Sequence, residues 1–205
     1  MTTPWVDAGE WQAINQAFRY LVQHHKSSMQ HIFSSASRLA ELFGLVFYTA
    51  DELCHSTCRH CPDPCCAKAW AWFDFKDLLF MHLIGLEIPE SQTLSFSGDQ
   101  CRYLGNRGCR LPRIARPWIC TWYYCPPQVA RMKSKPAVLM GTFERIVRLV
   151  KQQRLELETA FVGITIAGTS SCRNGYERLN AEMDQRIDIQ LREASPESLL
   201  PINWI

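Results

Sequence analysis

Five cysteines stand within thirteen residues, in the run Cys54-His-Ser-Thr-Cys58-Arg-His-Cys61-Pro-Asp-Pro-Cys65-Cys66, and nine of the ten in the chain fall between Cys54 and Cys125. A cysteine used only for packing behaves as a small hydrophobe and is scattered through a core. Thiols gathered at this density have the chemistry of metal ligands instead. Cys58-x2-Cys61 places two sulfurs on one tight turn, where both reach a single metal and the backbone amides of the turn point at them. With Cys65, Cys66, Cys101, Cys109, Cys120 and Cys125 added, eight thiols are on offer, twice the four that a structural zinc or a cubane cluster takes. The pattern is strong for metal and silent about which one.

Disulfides are the competing reading. The amino terminus has no basic stretch followed by an apolar core, and no uninterrupted apolar run approaches the roughly 18 residues of a membrane span. The expectation is a cytoplasmic protein, in which thiols stay reduced and clusters of them bind metal more often than they pair. The adjacent pair Cys65-Cys66 points the same way, because neighbouring cysteines close only a strained small ring with each other. A net charge of +2, from 22 basic and 20 acidic residues well mixed, lacks the single-sign field that favours nucleic acid. The expected partners are a metal ion and a protein, either a redox partner or a substrate, with neither nucleic acid nor membrane.

The elements that must position these thiols are mostly helical. At 205 residues and 47% hydrophobic content the chain can bury one core. The reading is a single mainly helical α+β domain over 1–205. A helical region spans 8–50, a cysteine-rich metal-binding core with short strands spans 54–125, and helices follow over 136–193. Trp11, Ile14, Phe18, Leu21 and Val22, then Leu39, Phe43, Val46 and Phe47, recur at helical spacing, as one helix or as two joined near Ser34-Ser35. Asp7 and Glu10 have capping-box spacing at its start, and the cysteine run begins just after it ends. Lys68 to Phe73 alternates as a short strand, Asp74 caps a helix from Phe75 to Leu86, and Thr93 to Phe96 is a second candidate strand. Asn106-Arg-Gly108 is turn chemistry for a hairpin carrying Cys101 and Cys109 on its arms. Pro117 opens a short helix from Trp118 to Tyr124, holding Cys120, and Pro126-Pro127 stops it beside Cys125. Leu139, Phe143, Ile146, Val147, Val150, Leu157 and Phe161 trace a long amphipathic helix opening near Pro136, and Tyr176, Leu179, Met183, Ile187 and Leu191 suggest a last one.

The same eight positions resemble the YkgJ-type cysteine-cluster family of zinc- or iron-chelating domains. The likeness lies in Cys58-x2-Cys61-x3-Cys65-Cys66, Cys101-x-Tyr-Leu-x3-Gly-Cys109 and Arg116-Pro117-x2-Cys120-x4-Cys125, with Tyr103, Leu104 and Gly108 as marks besides the cysteines. It implies a small domain whose cysteines hold an iron-sulfur cluster, 4Fe-4S being the preferred form, or zinc. Flagellin lysine methylases look like relatives carrying the same pattern, which brings in methyl transfer by analogy. The chain departs from the pattern at Pro62-Asp63-Pro64, where the family usually has glycines, and Cys54 lies outside it.

With iron, the expected role is electron transfer or redox sensing; with zinc closed by four sulfurs, it is structural. An enzyme of the methylase kind and a metal chaperone stay beside these readings, although none of the ten glycines forms a cofactor loop after a strand. Cys54-x3-Cys58-x2-Cys61 also has the spacing used by radical S-adenosylmethionine enzymes, whose motif follows the first strand of a partial βα barrel. The long helices ahead of it here argue against that fold. His55 and His60 are within reach as replacement ligands but read more simply as solvated residues, and His24, His25 and His31 as surface or half-buried ones. Arg116 suits either a thiolate-bound centre or an ordinary ion pair. Trp70, Trp72, Trp118, Trp122, Tyr123 and Tyr124 read as aromatic core before they read as a wall around a metal. Cys172 stands alone and reads as an ordinary cysteine.

Overall fold

A computed structural model describes residues 5–58, 61–62, 71–93, 101–106 and 108–167. These form six α-helices and one two-stranded ribbon: α1 (Ala8–His24), α2 (Gln30–Thr57), α3 (Phe75–Leu83), β1 (Leu104–Gly105), β2 (Gly108–Cys109), α4 (Ile119–Trp122), α5 (Pro126–Lys133) and α6 (Ala137–Ala167). The molecule is mainly helical, with strand confined to that ribbon among the described residues. The proposed last helix over Tyr176 to Leu191 lies outside them.

Asp7 starts α1 by accepting from the backbone amides of Gly9 at 2.8 Å and Glu10 at 3.2 Å, which gives a partner to donors that no helical carbonyl can reach. The break between the first two helices falls at a 3-10 turn over Lys26–Met29 rather than at Ser34-Ser35. Both serines lie inside α2, their hydroxyls bonded back to the carbonyls of Gln30 and His31. Met29 is fully buried at the break and anchors it in the core.

Ile32, Ala36, Leu39, Phe43, Val46, Ala50 and Leu53 line the buried stripe of α2, spaced three or four apart as one helical face requires. That stripe lies along α6, the most extensive pairing among the described elements. Phe143, Ile146, Val150, Leu157 and Phe161 of α6 join the same cluster. Contrary to the expected end near residue 50, α2 runs on to Thr57, so Cys54 is inside its last turn and Cys58 is its C-cap, donating its amide to the Cys54 carbonyl.

Asp74 and Asp77 form a reciprocal capping box at the start of α3. The helix stops at Leu83 and not at Leu86, because Gly85 adopts φ +70, a left-handed turn that favours glycine. Ala71 to Phe73 form no strand, and Lys68 to Trp70 lie outside the described residues, as do Leu94 to Phe96 of the second candidate strand. The ribbon pairs Leu104 with Cys109 and Gly105 with Gly108. Cys101 therefore precedes the first arm instead of lying on it. Tyr103 pins the ribbon down: its buried hydroxyl donates to the Ser91 carbonyl at 2.6 Å and accepts from the Ser91 amide at 3.0 Å. Pro126-Pro127, expected to stop a helix, begin one instead, occupying the first turn of α5 where no backbone donor is needed.

Candidate metal centre

Cys54, Cys58 and Cys125 meet at the C-terminal end of α2. Beside its last turn, Gln128 of α5 is 4% exposed. Its Oε1 accepts from the Cys125 amide at 3.1 Å, and its Nε2 reaches Sγ of Cys58 at 3.5 Å and Sγ of Cys54 at 3.6 Å. Cys125 caps α5 and pairs reciprocally with Gln128 across that first turn. One buried amide thus ties together three cysteines from two segments. Cys61 is held to the same corner by its amide, which donates to the Cys58 carbonyl at 3.2 Å.

Arg113, on a 3-10 turn over Arg113–Ala115, closes the other side. Its Nη2 lies 2.6 Å from Asp51 and 3.5 Å from Cys54 Sγ. Burial alone would lower the pKa of this guanidinium, but the bond to Cys54 and then the charge of Asp51 outweigh it and leave a net upward shift. Tyr124 is nearby. Burial raises its hydroxyl pKa, and the fields of Arg113 and Cys54 act on it as well. Its buried oxygen makes no hydrogen bond.

A second set, Cys101, Cys109 and Cys120, comes from the ribbon and α4. Cys120 keeps solvent-exposed surface, yet the protein packed around it, then Cys101, Cys109 and Asp77, push its thiol up to about 12, while Arg116 pulls it down. Burial, and then Cys109 among other groups, shift Cys101 upward. The three thiols feel one another's fields although 19 residues separate the first from the last. Arg116 faces this set while its Nε donates to the Leu111 carbonyl at 3.0 Å.

The second set lies beside a buried ionic hub. Asp77 Oδ1 accepts from Arg154 Nη1 at 2.6 Å and from the Trp118 amide at 3.0 Å, and Arg154 Nη2 also holds Asp74 at 2.9 Å. Arg154 is 2% exposed, so α3, α6 and the start of α4 are locked together two residues from Cys120. Burial pushes the Asp77 carboxyl up to about 6, with Arg154 opposing the shift. Trp118 packs against Phe43 of α2 and Tyr124 against Phe143 of α6, so these two rings are core, whereas Tyr123 is 50% exposed. His55 is exposed, as its solvated reading implies.

Of the eight expected ligands, Cys58, Cys61 and Cys125 fall in the first set and Cys101, Cys109 and Cys120 in the second. Cys65 and Cys66 lie outside the described residues, with His60, Trp70 and Cys172. Among the described residues no three Cys, His, Asp or Glu side chains stand close enough to hold a metal ion as they are. No barrel precedes Cys54 either, since only helix comes before it in the described chain. The donor chemistry nevertheless fits a soft metal: clustered reduced thiols with amide and guanidinium N–H groups turned toward sulfur. Sequence reasoning passed over Gln128, Arg113, Asp77 and Arg154. Gln128 and Asp77, each three residues after a helix cap, left a local signal, the capping-box spacing.

No protein-family model matches the chain, and neither a curated protein nor a solved structure matches it. No helix among the described residues is long and apolar enough to cross a membrane.

Proposed function

We propose that this is a cysteine-cluster metal protein of the YkgJ type, holding an iron-sulfur cluster or zinc through Cys58, Cys61, Cys65, Cys66, Cys101, Cys109, Cys120 and Cys125. The observation that carries the reading is the convergence of Cys101, Cys109 and Cys120, from a ribbon and a separate helix, into one another's electrostatic field. Burial first, with neighbouring thiols adding to it, raises Cys101 and Cys120; held together as thiolates such groups repel, and a bound cation removes that penalty. Two sets of thiols accord with two centres, or with one cubane and a second site. The preferred occupant is an iron-sulfur cluster, which would supply one-electron chemistry when bound; the cysteines would hold it, and Gln128 and Arg113 donate to cysteine sulfur. The role is then electron transfer or redox sensing in a reducing cytoplasm, with another protein as partner.

The test is iron, zinc and acid-labile sulfide per chain, measured on protein purified without oxygen and without added metal. Iron with matching sulfide is the expected result. Zinc without sulfide would overturn the cluster and leave a structural site, and the absence of both would overturn the metal reading. Methyl transfer has no observation of its own in its favour.

A further inference from the structure

Cys54 lies outside the eight-cysteine pattern, yet a guanidinium and a buried amide both donate to its sulfur: Arg113 Nη2 at 3.5 Å and Gln128 Nε2 at 3.6 Å. Its partner Cys58 is four residues on, hence on the same face of α2, and shares the Gln128 amide at 3.5 Å. Which end of that amide faces the sulfurs is fixed independently. Oε1 must accept from the Cys125 amide, so the NH2 end points at Cys54 and Cys58. A neutral thiol is a weak acceptor, and committing both a buried amide and a guanidinium to sulfur is favourable when the sulfur carries charge. Arg113 Nη2 is shared between the largely exposed Asp51 and Cys54.

On the reading of a thiol-bound metal given above, we propose that Cys54 is a metal ligand in its own right, paired with Cys58 across the last turn of α2. Gln128 and Arg113 act as positioning residues, donating N–H bonds to the two ligand sulfurs. The C-terminal turn of a long packed helix holds Cys54 and Cys58 at a fixed separation, and α5 supplies the outer donor. In metal sites such outer hydrogen bonds orient the ligands, and their loss costs about 10–100-fold in affinity.

An anaerobic titration of the full chain with cobalt(II), read by sulfur-to-cobalt charge-transfer absorption, tests this. Cys54→Ser should weaken binding at least about 10-fold and lower the absorption per bound cobalt. Cys54→His should recover affinity without the lost sulfur absorption, which a merely structural cysteine would not do, and it decides the matter if the serine variant does not fold. Gln128→Leu should lose about 10-fold in affinity while keeping the full absorption per cobalt. A Cys54→Ser titration identical to that of the native chain would overturn the inference. So would a native chain that gives no charge-transfer band; the iron, zinc and sulfide analysis judges the broader metal reading separately.

Discussion

Arg154 and Asp77 show how much depends on single buried charges in this protein. Arg154 is nearly inaccessible and holds two aspartates, one of which also accepts the Trp118 amide. Removing one partner of such a pair leaves the other charge without compensation. Arg154→Met is therefore expected to destabilise the protein by about 3–5 kcal/mol in urea unfolding. The double variant Arg154→Met/Asp77→Leu should recover part of that loss, because the one carboxylate then left without Arg154, Asp74, is partly exposed to water; equal losses in the two would show that packing, not charge, dominates. Nothing in the local sequence flagged this pair, since its members are 77 residues apart and each looks like an ordinary helix charge. The cysteines were different. Their density is plain in the sequence alone, but which thiols share a set depended on the packing of α4, α5 and the ribbon.

Helix ends are where sequence and structure agree most closely and where they part. Asp7 and Asp74 both cap as their spacing suggests, because the first amides of a helix need an acceptor whatever the fold. The far ends were misplaced. α2 overran its expected end into the cysteine run, while α3 stopped early at a glycine with positive φ. Gly85 has open space around the position of a side chain, so Gly85→Ala should cost about 1 kcal/mol through backbone conformation alone. Thermal unfolding checks this, and a neutral substitution would mean the turn relaxes. Pro126-Pro127 were read as a stop because proline breaks a helix interior, but the same residues suit a first turn. That ambiguity is resolved only by what Cys125 and Gln128 do on either side of them.

Across the molecule, α1 is fastened to α3 through a polar contact inside an apolar cluster. His82 Nε2 lies 2.9 Å from Asn15 Oδ1, and the ring stacks on Phe18. Burial, and then the charge of Arg19, lower the His82 pKa from 6.5 to about 4. The neutral form is the one that fits. In the window between those values an unfolded chain binds a proton that the folded one rejects, so stability is present above pH 6.5 and is lost as pH falls toward 4. Allowing for partial exposure, the loss is about 1 kcal/mol. Unfolding free energies at pH 7 and pH 5 should differ by about that amount more in the native chain than in His82→Gln. The same difference in both would move the acid sensitivity elsewhere.

The sequence by itself determined the mainly helical character, the capped starts of α1 and α3, the α2 and α6 core stripes, the hairpin and the cysteine clustering, because periodicity, capping and turn chemistry are local and act within a few residues. Tertiary structure alone decided that Gln128 and Arg113 face Cys54, that Cys101, Cys109 and Cys120 share a field, and that Arg154 locks Asp77 to α4. Those contacts join groups from about 10 to about 80 residues apart, and their geometry exists only once α2 and α6 have packed and desolvated the charges between them.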